Sequence, residues 1–191
     1  TKMDMRKGSY KNEFAKKMET PKATILAYYN GEIPYTFENN ILMSTLSQVL
    51  DIVYTREVRE KEGGTYGVGV DGGISKYPKE TFDLQIMFDT DPDKREKMLD
   101  IVLAQAQKIA KEGPQAEDLN KVKEFMLKKH KENMKENGYW MGILNEYYYT
   151  GADMLDGYDA IVSGITPAKI QKFAKQLLDQ KNLTEVIMTG E

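Results

Sequence analysis

Cysteine is absent from the 191 residues. That excludes disulfides, thiolate metal sites and cysteine nucleophiles, and it fits any redox compartment. Histidine occurs once, at position 130. One imidazole cannot supply the inverted zinc motif His-x-x-Glu-His, which needs two on one helix. His130 also sits in Lys128-Lys129-His130-Lys131, whose cations disfavour a bound metal, so it reads as a solvated surface side chain. No group of Asp and Glu stands out as an oxygen-ligand loop. No apolar run approaches the roughly 20 residues of a membrane span, and no charged, apolar, small-residue series marks a secretory signal. Neither sign of charge dominates: 27 basic against 30 acidic residues leave a net charge of -3, without an electrostatic footprint for nucleic acid. The chain starts at Thr1 and reads as an excised piece, so its composition leaves the compartment open.

What is present is patterned for one core. Residues 1–22 are polar and basic and read as a linker with a short helix near Phe14–Met18. Ala23–Tyr29 favours a strand, with Asn30-Gly31 and Pro34 marking a loop after it. Thr36 is a candidate N-cap. Leu42, Leu46, Val49, Leu50 and Val53 then form one apolar helical stripe, ended near Gly63-Gly64. Thr65–Ile74 is a glycine-rich strand. Thr81–Asp89 alternates, with Phe82, Leu84, Ile86 and Phe88 on the buried face, and completes an antiparallel hairpin. Asp91 with Pro92 starts a helix through Ala110. Further helices are expected at about 117–136, through Tyr139–Tyr148, near 155–163 and from Thr166-Pro167. Leu183–Met188 is a last strand. The order β-α-β-β, helices, β predicts an α+β fold over residues 23–191: a largely antiparallel sheet with helices packed on one face.

Two clusters have plain structural readings. Trp140 with Tyr139, Tyr147, Tyr148 and Tyr149 has the spacing of core aromatics. The glycines at 63, 64, 67 and 69 follow a helix and precede a strand, the reverse of a phosphate-binding loop, which argues against nucleotide binding.

The run Arg59-Glu60-Lys61-Glu62-Gly63-Gly64-Thr65-Tyr66-Gly67-Val68 is the most informative. Arg59 can be read as a cation at a helix C-terminus and Tyr66 as a core aromatic. The chemical alternative is a guanidinium fork and a phenol, both donors, converging on a carbonyl oxygen. Such donors stabilise an oxyanion in acyl transfer.

The arginine and tyrosine seven residues apart, across Gly-Gly, resemble the signature of the substrate-binding half of pitrilysin/insulinase-type zinc peptidases. The resemblance runs from about Lys22 to Glu191. Ile33-Pro34-Tyr35-Thr36 and Asn137-x-x-Trp140 are similar to the bacterial zinc-protease branch. The resemblance implies a C-terminal domain that contacts the peptide substrate near the scissile bond through Arg59 and Tyr66. It implies an N-terminal half of the same enzyme as partner, carrying the zinc, and no catalytic or metal residue in this fragment, which alone would be inactive. It points weakly to the periplasm. The alternatives are a non-catalytic homologue serving as a structural or binding subunit of a two-chain assembly, and a free-standing peptide-binding domain.

Overall fold

The computed structural model describes residues 4–60, 62–63, 65 and 67–190. Five strands form one sheet: β1 (Ser9–Lys16), β2 (Ala23–Glu32), β3 (Val68–Ser75), β4 (Thr81–Thr90) and β5 (Leu183–Gly190). Their order is β1-β5-β2-β4-β3. All neighbours are antiparallel except β1 and β5, which run parallel in the register Ser9↔Leu183 to Lys16↔Gly190. Six α-helices accompany it: α1 (Phe37–Tyr54), α2 (Arg95–Glu112), α3 (Ala116–Asn133), α4 (Asn137–Thr150), α5 (Tyr158–Ser163) and α6 (Pro167–Leu178). The α+β architecture expected from the sequence is the one observed.

Strand alternation sorts the two faces of the sheet. Ile25, Ala27 and Tyr29 of β2 and Phe82, Leu84, Ile86 and Phe88 of β4 are buried beneath the helices. Against them lie Leu46, Val49, Leu50 and Val53 of α1, Leu99 and Val102 of α2, and Ile170, Phe173 and Leu177 of α6. Tyr54 is fully buried and donates its hydroxyl to the Val102 carbonyl at 3.1 Å, which satisfies its polar tip and fastens α1 to α2. Thr36 caps α1 as expected, its Oγ1 accepting from Asn39 N–H at 3.1 Å. The other face is open. Its central row runs Asn12, Val186, Leu26, Met87, Gly69, and the adjacent row runs Tyr10, Thr184, Tyr28, Gln85, Asp71.

Several expectations are corrected. Ser9–Lys16 is an edge strand of the sheet, and no helix forms near Phe14–Met18. Its alternation was hidden because charges lie on the helix side too: Lys11 reaches Glu96 of α2 at 3.0 Å and Glu13 at 2.9 Å. Asn30 and Gly31 continue β2 rather than opening a loop. A Cβ at Gly31 would lie 2.0 Å from Gln180 Oε1, so the glycine serves a close approach there and not a turn. Asp91 does not cap with its side chain. A 3-10 turn, Pro92–Lys94, precedes α2, and Asp91 pairs instead with Lys94 at 2.9 Å.

The aromatics of α4 are not core. Thr150 is the one buried residue of that helix, while Trp140, Tyr147 and Tyr149 are exposed and Tyr148 is 83% exposed. The spacing is helical, but no described element covers that face.

Candidate substrate-binding site

The end of α1 sets the geometry. After Tyr54 the backbone widens into a π-helical turn, Thr55–Glu60. Such turns are uncommon and recur at functional sites, since the extra residue re-aims side chains. Val58 points inward and is completely buried, whereas Arg59 is exposed. Gly63 closes the turn with φ +58, its N–H donating to the Arg59 carbonyl at 3.1 Å. This is the left-handed closure that glycine makes without strain. The chain then enters β3 through Thr65. The Thr65 hydroxyl donates to the Gly67 carbonyl at 2.9 Å and accepts from the Gly67 N–H at 3.2 Å. The segment therefore leaves the helix end and joins the outermost strand of the sheet within a few residues.

Arg59 thus stands at the helix-to-strand junction predicted for it. Among the described residues its side chain has no hydrogen bond or ion pair. Tyr66 lies outside the described residues, and with it the convergence of the two side chains. The acidic neighbour Glu62 is engaged elsewhere, by Lys97 of α2.

Arg56 is the residue that sequence reasoning missed. Its Nη1 donates to both carboxylate oxygens of Asp118 on α3, and its Nε donates to Glu57 at 3.1 Å. Asp118 is 2% exposed. One arginine of the turn is therefore tied to α3, and the other, three positions on, has no side-chain partner among the described residues. No local signal marked its role: Arg56 follows Val49 and Val53 at helical spacing, and its partner Asp118 lies on another helix.

His130 is corrected as well. It is 8% exposed, not solvated. Its Nδ1 lies 3.0 Å from Asp159 Oδ1, and its ring packs on Tyr158 with centroids 4.1 Å apart. Burial pushes the Tyr158 hydroxyl up to about 12, with smaller contributions from Tyr139 and Asp159. The lysines of Lys128-Lys129-His130-Lys131 point the sequence argument outward, but position 130 follows Val122 and Met126 at helical spacing on the buried face of α3. Among the described residues no group of three His, Cys, Asp or Glu side chains could hold a metal ion.

The Peptidase M16 inactive domain family matches residues 8–126. The chain belongs to that family. A curated relative, a zinc protease PQQL-like protein of Arabidopsis thaliana, is 31% identical over 102 residues, covering 50% of this chain and 11% of its own. Among solved structures, the periplasmic protease PqqL of Escherichia coli superposes with a TM-score of 0.81 at 12% identity, covering 97% of this chain and 21% of that one. A peptidase M16 inactive domain from Pseudomonas fluorescens gives 0.76 at 17% identity, covering 97% and 44%. This M16 chain therefore spans under half the length of these relatives. Its metalloprotease kinship is that of a non-catalytic domain in a zinc protease-like protein. No described helix is long and apolar enough to cross a membrane.

Proposed function

We propose that this M16 domain grips the peptide substrate of a zinc metalloendopeptidase whose metal is held by an N-terminal half of the same enzyme. Arg59 and Tyr66 orient the scissile carbonyl, and the domain alone cleaves nothing. The observation that carries the reading is Arg59: exposed, unengaged among the described residues, and held at a fixed turn beside the sheet's outer strand. A guanidinium kept free of its several acidic neighbours is available to a ligand oxygen. Metal chemistry belongs wholly to the other half. The periplasm is the compartment proposed, carried over from the description of PqqL.

The test is turnover by the intact enzyme, with Arg59→Ala and Tyr66→Phe each compared with wild type on the same peptide. Reduced turnover in folded protein supports the reading. An intact chain that lacks His-x-x-Glu-His throughout would instead make this a domain of a non-catalytic binding subunit.

A further inference from the structure

The end of α1 is crowded with acids. Glu57, Glu60 and Glu62 stand in or just after the π-helical turn, and Asp118 of α3 lies against it. Arg59 pairs with none of them, and two other cations occupy the acids on either side. Arg56 takes Asp118, through both carboxylate oxygens, together with Glu57. Lys97 of α2 takes Glu62.

Glu62 is the acid best placed to capture Arg59. Side chains meet when they stand three or four positions apart along a helical turn. Thr55, Arg56, Glu62 and Gly63 stand at those distances from Arg59, and Glu62 alone among them is acidic. The bond from the Gly63 N–H to the Arg59 carbonyl keeps Glu62 within the same turn.

Lys97 does little for its own helix. It occupies the first turn of α2, where the helix dipole disfavours a cation. Nor does its ion pair hold the fold together. The Lys97 and Glu62 side chains are 65% and 30% exposed, and pairs so open to solvent add little to stability. What the contact does is draw Glu62 toward α2 and away from the arginine three positions before it.

We propose that Lys97 is a positioning residue. By holding Glu62 against α2 it keeps the Arg59 guanidinium uncaptured and available to a substrate oxygen, as Arg56 does on the other side of the turn by holding Asp118. The inference rests on the substrate-gripping reading above and adds a residue to that site. Lys97 itself touches no substrate; it acts only through where it keeps Glu62.

The test compares Lys97→Met with the double variant Lys97→Met, Glu62→Gln, in the intact enzyme and in the 191-residue chain. Neither side chain is in the core, so both proteins should fold as wild type does, which thermal unfolding checks. Lys97→Met releases Glu62 to Arg59, and kcat/KM should fall about two- to fivefold, the scale of one exposed ion pair. The loss relative to wild type should shrink as salt is raised, because an exposed pair is screened. Adding Glu62→Gln removes the captor and should restore kcat/KM. The chain has four arginines, so their Nε–H signals can be assigned by NMR. The Arg59 signal should shift in Lys97→Met and return in the double variant. A pair that merely braces the turn gives another pattern: the double variant stays as low as Lys97→Met, and that overturns the inference. So does an Arg59 signal that Lys97→Met leaves in place. If Arg59→Ala lowers turnover while Lys97→Met does not, the inference alone fails. If Arg59→Ala leaves turnover unchanged, the reading beneath it fails, whatever the Arg59 signal shows.

Discussion

Arg56 Nη1 lies 3.1 and 3.0 Å from the two carboxylate oxygens of Asp118. This contact pins the π-helical turn to α3 and so fixes where Arg59 emerges. The Asp118 side chain is 3% exposed and that of Arg56 31% exposed. Arg56→Met therefore leaves a buried carboxylate alone. The expected cost is about 2 kcal/mol, below the ~3–5 kcal/mol of fully enclosed pairs. Adding Asp118→Asn should recover part of it. Urea midpoints of the two single variants and the double variant measure both effects.

Arg59 is expected to behave in the opposite way. Arg59→Ala and Tyr66→Phe should each lower kcat of the intact enzyme by roughly 10²–10³ if both donors serve the developing oxyanion. Arg59→Lys should fail as well, because an ammonium lacks the planar fork. For Arg59→Ala, thermal unfolding should stay within about 0.5 kcal/mol of wild type, as for an exposed side chain without partners among the described residues.

Gly72 faces α1, and there the glycine is demanded by packing. A Cβ would lie 2.7 Å from Ser47 Oγ and 2.8 Å from Met43 Sδ. Gly72→Ala is expected to destabilise by about 1–3 kcal/mol through overpacking. Ser47 Oγ is buried without a partner among the described residues, so Ser47→Ala alone should be neutral or stabilising. In the Gly72→Ala background it should restore a measurable part of the loss. Chemical denaturation of the four proteins checks the coupling.

Asp83 gives a pH dependence of defined sign. Burial pushes its carboxyl above the ordinary value of 3.8; the hydrogen bond with Gln85 opposes this and the charge of Asp71 adds to it. The folded state therefore holds this proton more tightly than the unfolded state. Its contribution to stability falls as pH rises from about 3.8 through the raised folded value. Asp83→Asn should accordingly stabilise at neutral pH, and the gain should vanish in acid. A gain that grows on acidification would contradict the assignment.

Hydrogen exchange should rank α4 as the least protected long helix. Thr150 is its one buried residue, and it is tied to other elements mainly by polar and ring-edge contacts: Tyr35 with Glu146, Trp140 Nε1 to the Met134 carbonyl, Lys76 Nζ to the Thr150 carbonyl, and the ring pairs Tyr77–Tyr149 and His130–Tyr139. Local opening costs little where few apolar contacts are lost. α1, with nine buried residues, should exchange slowest.

The sequence carried the elements whose apolar residues obey one period. Phe82, Leu84, Ile86 and Phe88 announced β4, and Leu42 to Val53 announced α1, because one side of each is packed and the other is not. β1 escaped because an outer strand can place charges on both sides when one of them, Lys11, reaches an acid on a helix. α4 misled for the converse reason. Helical spacing of aromatics says which residues share a face, but not whether anything meets that face. At the end of α1 the helix-to-strand junction carrying Arg59 was legible from where the apolar stripe runs out, while the role of Arg56 was not. Its importance comes from Asp118, 62 residues later in the chain, and a contact of that range leaves no local period.

The pairing of the first strand with the last has a mechanical side. β1 and β5 run parallel over eight paired positions. A pull that draws the start of β1 away from the end of β5 would slide the two strands past each other lengthwise. All the ladder bonds between them would carry the load together, rather than parting one after another as in a zipper. A force applied along that line therefore meets the sheet in its stiffest direction.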